Sequence, residues 1–531
     1  MTAWLSLHKP PNLIIIALLA AVLWGGEYAR RALWEPDEAR YAYVAKEMQQ
    51  SGHWAVPHRH GVFYAHKPPL MFWMIRASSF LTGGDINRIS TRIPSWMGIV
   101  LTLWAMSRLI TLWHRPASGW RSVFILSTAP LFWMTGGMGQ IDALLCGLEM
   151  MALYHLFLWN REPERYRLWI AFSCMGLAVL AKGPVGFLVP TGAYIAGSLM
   201  GGDARRLLAW HWAWGPLLVL VFPALWLWAA WFEGAPPEYF RELLWKQNVE
   251  RAAGEMGHVR SFHYFLLHFP VEFLPWTFLL PAAVGFLWRD ADRRTTVRRL
   301  LAWILFVIVF FSLSISKRNL YILPAYPAAA MLVAMAWDGL AVRPGYIPGL
   351  VMILYLLTGV LALTTGLDFA LPVPVSWFAW TAAGAGMAAM VLLVVWVIPR
   401  WRQHWIATIC LVSLATQLAI VHQLYPALNP FKTPVDVIVA ARTHLSSRNR
   451  LILYGLNSEI LPLYTNSRGI RIDDQEILWY ELFQQVTGMV IFDAPTWQQL
   501  KGRYGHIMDA HSFQMGAKQF VWCAFDVRRQ P

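Results

Sequence analysis

The sequence predicts a polytopic α-helical membrane protein that ends in a small α/β domain, and three observations carry that expectation. First, 57% of the chain is hydrophobic and 31 residues are Trp, well above the apolar share of a soluble domain. Second, only 14% is charged, and apolar runs long enough to cross a bilayer recur to about residue 425. A β-barrel would show short alternating strands in their place. Third, the composition changes after Tyr425, where Asn429-Pro430 and Thr433-Pro434 mark a linker. The expected division is a transmembrane domain over 1–428, with outer loops at 27–91 and 233–262, and a second domain over 429–531.

The apolar segments are 12–26, 92–112, 119–136, 139–159, 167–181, 184–200, 210–232, 263–288, 298–316, 320–340, 347–366, 376–398 and 404–424, which makes about thirteen spans. No small-residue cleavage site follows the first, so it reads as a retained span. With the amino terminus inside, the short inner loops hold Arg115 and Arg121, then Arg161, Arg165 and Arg167, then Arg205 and Arg206. Further along they hold Arg289, Arg293, Arg294, Arg298 and Arg299, then Arg343, Arg400 and Arg402. Such purely basic inner loops are what the positive-inside rule demands, so the net charge of +14 is mostly a topology signal. Basic residues spread over many short loops form no single face for nucleic acid, which is not an expected partner.

Beyond the linker, 451–454, 489–492 and 520–522 read as buried strands, and 435–445 and 474–485 as helices. This outer α/β domain carries no Gly-rich phosphate loop, and a structural or acceptor-docking role is expected of it. Cys146, Cys174, Cys410 and Cys523 are scattered, three of them in apolar runs, so neither a disulfide framework nor a metal cluster is suggested.

The connection from Glu35 to Arg92 is the most informative stretch, because a long charged loop between two spans exceeds what topology needs. Asp37 and Glu38 open a helix after Pro36, positions suited to capping for Asp37 and to the helix dipole for Glu38. Capping and catalysis are compatible there. Arg40 and Tyr41 fall at i+3 and i+4 from Asp37 and share its face. Lys67 precedes two prolines that stiffen the backbone beside the apolar stretch 70–81, an arrangement suited to a lipid-carrier phosphate. Asp142 follows the small-residue run 135–139 at the end of a span, where a carboxylate needs a functional reason. Lys182 and Lys317 lie in short outer turns that the positive-inside rule disfavours, and a bound anion is the simplest reason for them. Residues 238–251 read as an amphipathic surface helix, with His258 in the loop behind it. The carboxylates could take a proton, orient a hydroxyl or bind a divalent cation, whose participation stays open; no other cofactor is expected.

In the order DEARYAYVAKEM, SGHW, HKPPLMFW, Asp85–Arg92, Asp142, Lys182-Gly183-Pro184, Asn248–Arg251, His258 and SKRNLYILPAYP, the chain closely resembles the bacterial aminoarabinose transferases of lipid A. More loosely it resembles the protein O-mannosyltransferase superfamily with the GT-C fold. The resemblance implies an inverting glycosyltransferase of the inner membrane, a monomer among membrane lipids, with its active site on the periplasmic side. It would move a sugar from a polyprenyl-phosphate, undecaprenyl phosphate in bacteria, to lipid A or a related envelope acceptor. By the same resemblance Asp37 and Asp142 match essential acidic positions, and Lys67, Arg251 and Tyr321 match ligands of the donor phosphate. Lys182 and Lys317 are expected beside that phosphate, and Glu38, Arg40, Tyr41, His66 and His258 near sugar or acceptor. Asp37→Asn and Asp142→Asn are expected to abolish transfer and leave the fold intact.

The chain departs from the family at His66, where the aminoarabinose enzymes carry glutamate. A histidine beside Lys67 offers no anion to an amino-sugar, so a neutral hexose or a uronic acid becomes the expected donor, and a protein or envelope polysaccharide an alternative acceptor. A lipid flippase or transporter is the alternative from another class; it would call for charges paired deep in several spans and an inverted repeat, neither of which is legible.

Overall fold

The structure, a computed structural model, describes residues 10–209, 211–250, 259–343, 345–368, 375–399, 401–434, 437–439, 443, 445, 450–465, 467–515 and 518–529. In chain order the first helices are α1 (Leu13–Arg30), α2 (Asp37–Ser51), α3 (Leu70–Ser79), α4 (Arg88–Thr111), α5 (Ala117–Ser127), α6 (Pro130–Gly137), α7 (Ile141–Arg161), α8 (Arg165–Lys182) and α9 (Val185–Met200). They continue with α10 (His211–Phe232), α11 (Pro237–Arg241), α12 (Tyr264–Glu272), α13 (Leu279–Trp288), α14 (Ala291–Leu313), α15 (Tyr326–Val342), α16 (Ile347–Asp368), α17 (Val375–Val397), α18 (Trp405–Ala419) and α19 (Tyr425–Lys432).

By length and apolarity, seven helices among the described residues can cross a membrane, or eight if a bent pair counts as one. This is a multi-pass membrane protein, but the count of thirteen full spans is not reproduced. Prolines account for two of the differences. Pro130 opens α6 and splits the expected span 119–136 in two, since it supplies no amide to continue α5. Pro275 lies at the break between α12 and α13, which bend by 107°. The apolar stretch Leu70–Thr82 and α9 are shorter than a full crossing, whereas α16 and α17 run for 22 and 23 residues.

Contacts divide the chain into two compact units. The first comprises 1–28, 65–71 and 92–422. In it α7, α8, α9 and α14 pack side by side, and Gly98 and Gly147 let α4 and α7 touch backbone to backbone. A Cβ at Gly98 would collide with the Ala143 carbonyl. Trp24 donates to the Trp133 carbonyl at 2.9 Å and Tyr28 to that of Gly136 at 2.7 Å, tying α1 to α6. Arg92, fully buried, is structural: it donates to the carbonyls of Glu27 and Tyr28 at the C-terminal end of α1. The arginine-rich end is marked by Arg121, which grips Asp338 with two bonds of 2.7 and 2.9 Å, by Arg115 on the same carboxylate, and by Arg161 donating to the Leu112 carbonyl.

The second unit comprises 29–64, 72–91 and 423–531, so it is larger than the C-terminal segment alone. Its five-stranded sheet runs β4 (Arg468–Ile472), β3 (Arg450–Tyr454), β5 (Thr487–Asp493), β7 (Lys518–Asp526), β6 (Met508–Met515), after a small hairpin β1 (His58–Arg59) and β2 (Val62–Phe63). β3 is parallel to β4 and β5, and the other pairs are antiparallel. The central strands β3 and β5 are buried on both faces, which explains their unbroken apolar runs. Helix Gln475–Gln485 starts where expected, capped by Asp474. Most of the expected helix 435–445 lies outside the described residues. The 29–64 segment belongs to this unit because hydrogen bonds hold it there. Glu35 accepts from Ser458 Oγ at 2.7 Å and from the Glu459 and Ile460 amides, Lys46 donates to the Leu463 carbonyl at 2.9 Å, and the Gly469 amide donates to Tyr43 at 3.0 Å.

Candidate active site

The site in the first unit follows from how α7, α8 and α9 are joined. α7 starts after the extended Gln140, which places Asp142 in its first turn. α8 runs back beside α7 and ends on Lys182. Gly183 then adopts φ 86°, which a side chain would strain, and Pro184 opens α9. The first turn of one helix and the last of the next therefore meet, and Lys182 forms an ion pair with Asp142. Both are largely buried, with side-chain exposures of 12% and 7%. The pair uses Asp142 Oδ1, leaving Oδ2 to accept from a substrate.

Lys182 Nζ also lies 4.5 Å from the centre of the Tyr321 ring, a cation–π contact. Tyr321 is carried by the tight 3-10 turn Asn319–Ala325 that leads into α15. Together with Lys67, these residues line a cavity of about 350 Å³ whose remaining wall includes Leu145, Leu188, Phe310, Phe311 and Ser316. Glu149 lines it too, and was missed from the sequence although a carboxylate in mid-span was the signal to follow. Of the residues expected at the donor phosphate, the structure gathers Lys67, Lys182 and Tyr321 here with Asp142. Lys317 is elsewhere: its buried ammonium is taken up by the carbonyls of Arg260 and Ser314, so it ties a turn together. Arg251 and His258 lie outside the described residues. The amphipathic segment 238–251 is helical as α11 followed by a wider π-type helix, Glu242–Glu250. Its Glu242 sits 3.1 Å from His66 Nε2, so a carboxylate stands at the position whose missing anion made an amino-sugar unexpected.

The remaining residues lie in the second unit. Asp37 is the first residue of α2, after Pro36 at the N-cap position, and its carboxylate pairs with Arg40 at 3.2 Å, one helical turn on. Glu38 does more than complement a helix dipole. It is buried and holds both arms of Arg31, at 2.9 and 3.1 Å, and accepts the Trp34 amide. Tyr41, 2% exposed, packs against Phe72 and is a core residue of this unit. Among the described residues no group of three or more His, Cys, Asp or Glu side chains is placed to hold a metal ion.

Known proteins give this geometry a context. Residues 66–231 match the family described as dolichyl-phosphate-mannose-protein mannosyltransferase. An undecaprenyl phosphate-α-4-amino-4-deoxy-L-arabinose arabinosyl transferase of Pseudomonas fluorescens is 28% identical over 356 residues, covering 65% of this chain and 63% of that protein. The aligned part is thus just under two thirds of that relative. Among solved structures, ArnT of Cupriavidus metallidurans bound to undecaprenyl phosphate superposes with a TM-score of 0.82 at 20% identity, over 98% of this chain and 99% of that one. The Archaeoglobus fulgidus oligosaccharyltransferase superposes with a TM-score of 0.50 at 12% identity, over 96% and 73%. The chain is thus similar in sequence, over 65% of its length, to an undecaprenyl phosphate-aminoarabinose arabinosyl transferase, and over nearly its whole length it has the GT-C fold that ArnT shows.

Proposed function

We propose that this protein is a glycosyltransferase that moves a sugar from undecaprenyl phosphate to a lipid A-type acceptor at the periplasmic face of the inner membrane. The observation that carries the proposal is the cavity that joins Lys67, Lys182 and Tyr321 to Asp142. Cationic and phenolic donors suit a departing phosphate, and a carboxylate suits an acceptor hydroxyl. The names of the relatives support the same donor and chemistry. For orientation, α7 ends with Arg161 at the arginine-rich end and has Asp142 in its first turn, and the positive-inside rule supports a cavity on the side opposite the cytoplasm.

In this reading Lys67 and Tyr321 hold the donor phosphate. The acceptor oxygen attacks the anomeric carbon from the face opposite the phosphate, the carbon–oxygen bond to the phosphate breaks, and the phosphate leaves with that electron pair. If the acceptor is a hydroxyl, its proton passes to Asp142; if it is a phosphate, no base is needed and Asp142 orients it. Lys182 acts through Asp142, fixing its rotamer. The test is transfer of radiolabelled sugar from undecaprenyl-phosphate donors to lipid A in detergent by the purified protein. No transfer from any such donor would overturn the proposal.

A further inference from the structure

Glu149 lies seven residues after Asp142 on α7, two turns along, which returns it to the same face about 10 Å deeper into the span. Leu145 lies on that face between them, and all three line the cavity. The side chain is only 1% exposed, and neither carboxyl oxygen has a hydrogen-bond partner among the described residues. Leu188 and Phe310 line the same cavity. A buried carboxyl in that state is unfavourable unless a donor comes to it. Among the described residues no donor reaches it: the Lys182 ammonium is paired with Asp142.

The donor must then come with the ligand. A hydroxyl offers one hydrogen and no charge, whereas an ammonium offers three and a positive charge, matching two unmet acceptor oxygens. We propose that Glu149 is the specificity-determining carboxylate of this cavity and pairs with the cationic amine of an amino-sugar donor. The inference rests on the glycosyltransferase reading above and deepens it. A neutral sugar on the same carrier would leave Glu149 without a partner. Shape agrees as well, since C4 of a six-membered sugar ring lies across from C1, placing amine and phosphate at opposite ends. The opposing expectation drawn from His66 loses its basis, because Glu242 stands beside that ring.

The experiment measures binding rather than turnover, so it stays informative if the transfer assay fails. Dissociation constants of 4-amino-arabinosyl and plain arabinosyl undecaprenyl phosphate are taken by Trp fluorescence for the wild type, Glu149→Gln and Glu149→Asp in detergent. The wild type is expected to favour the amino donor by tenfold or more, on the order of one charge-assisted contact. Glu149→Gln should bring that ratio close to one, and Glu149→Asp, which keeps the charge, should retain part of it. A wild-type ratio near one, a ratio unchanged in Glu149→Gln, or an equal loss of both donors would overturn the proposal. The aspartate variant decides if the glutamine variant does not fold.

Discussion

Asp142→Asn probes the site most sharply, because the structure changes what the substitution should do. Read from the sequence, it removes a charge and keeps the shape, so activity alone should fall. In the structure it also strips the counter-ion from Lys182, whose side chain is 12% exposed. Breaking a buried pair by removing one partner costs about 3–5 kcal/mol, since the other charge stays behind. The lower end applies here: the Asn carbonyl can still accept from Nζ, and the Tyr321 ring 4.5 Å away offsets part of the loss. Asp142→Asn should therefore lose about 3 kcal/mol of stability together with transfer. Lys182→Met should behave alike, and the double variant should regain most of the stability but none of the activity. Equilibrium unfolding in mixed micelles, followed by Trp fluorescence, closes this double-mutant cycle. Strictly additive losses would refute the pair, and wild-type transfer by Asp142→Asn would remove the residue from the chemistry.

Three further outcomes can be checked. Lys67→Ala should weaken the affinity for the donor about tenfold or more, by loss of a charge-assisted contact, with unfolding unchanged; equal affinity in a binding titration would place the phosphate elsewhere. Glu38→Gln should destabilise the second unit by about 3 kcal/mol, because it leaves buried Arg31 without its counter-ion, and a variant as stable as wild type would contradict that role. The third concerns His60, whose pKa is pushed down to about 4 by burial first and then by Arg59 and Arg471. The unfolded chain takes up this proton below about 6.5, so the contribution is intact above that pH and lost as pH falls from about 6.5 to 4, by up to about 3 kcal/mol. Burial raises Glu47 and Glu459, which act in the opposite sense, so the measurement is the difference between wild type and His60→Asn across that range. Parallel pH curves would refute it.

Much of the fold was legible. Apolar runs located the helices to within a few residues, for example Ile141–Arg161 against an expected 139–159, because a bilayer imposes both length and composition. Breaks within runs were harder to read. The bend at Pro275 and the split at Pro130 keep the apolar composition on both sides, so hydropathy does not register them. In the sheet, β3, β5 and β7 were visible as buried apolar strands, whereas β6 is exposed along much of its length and β4 contains two arginines and a glycine.

The candidate site was legible one residue at a time. Local signals, a lysine where positive charge is disfavoured or a carboxylate at a span end, singled out Lys67, Asp142 and Lys182 as unusual. Partnership was not legible, because a side chain's role depends on what stands opposite it in space. Lys182 and Lys317 carry the same sequence signal, yet one meets Asp142 and the other two carbonyls. Glu38 and Asp37 are neighbours, yet one is sealed against Arg31 and the other pairs with Arg40. The sequence by itself determined the membrane class, the place of most apolar helices and the unusual charges, since each is a bulk or local property of apolar and ionisable residues in a bilayer. Tertiary structure alone decided which charges neutralise one another, and that Glu149 lines the cavity with no hydrogen-bond partner among the described residues. Ion pairing falls off within a few ångströms, and Lys182 stands 40 positions from Asp142 along the chain.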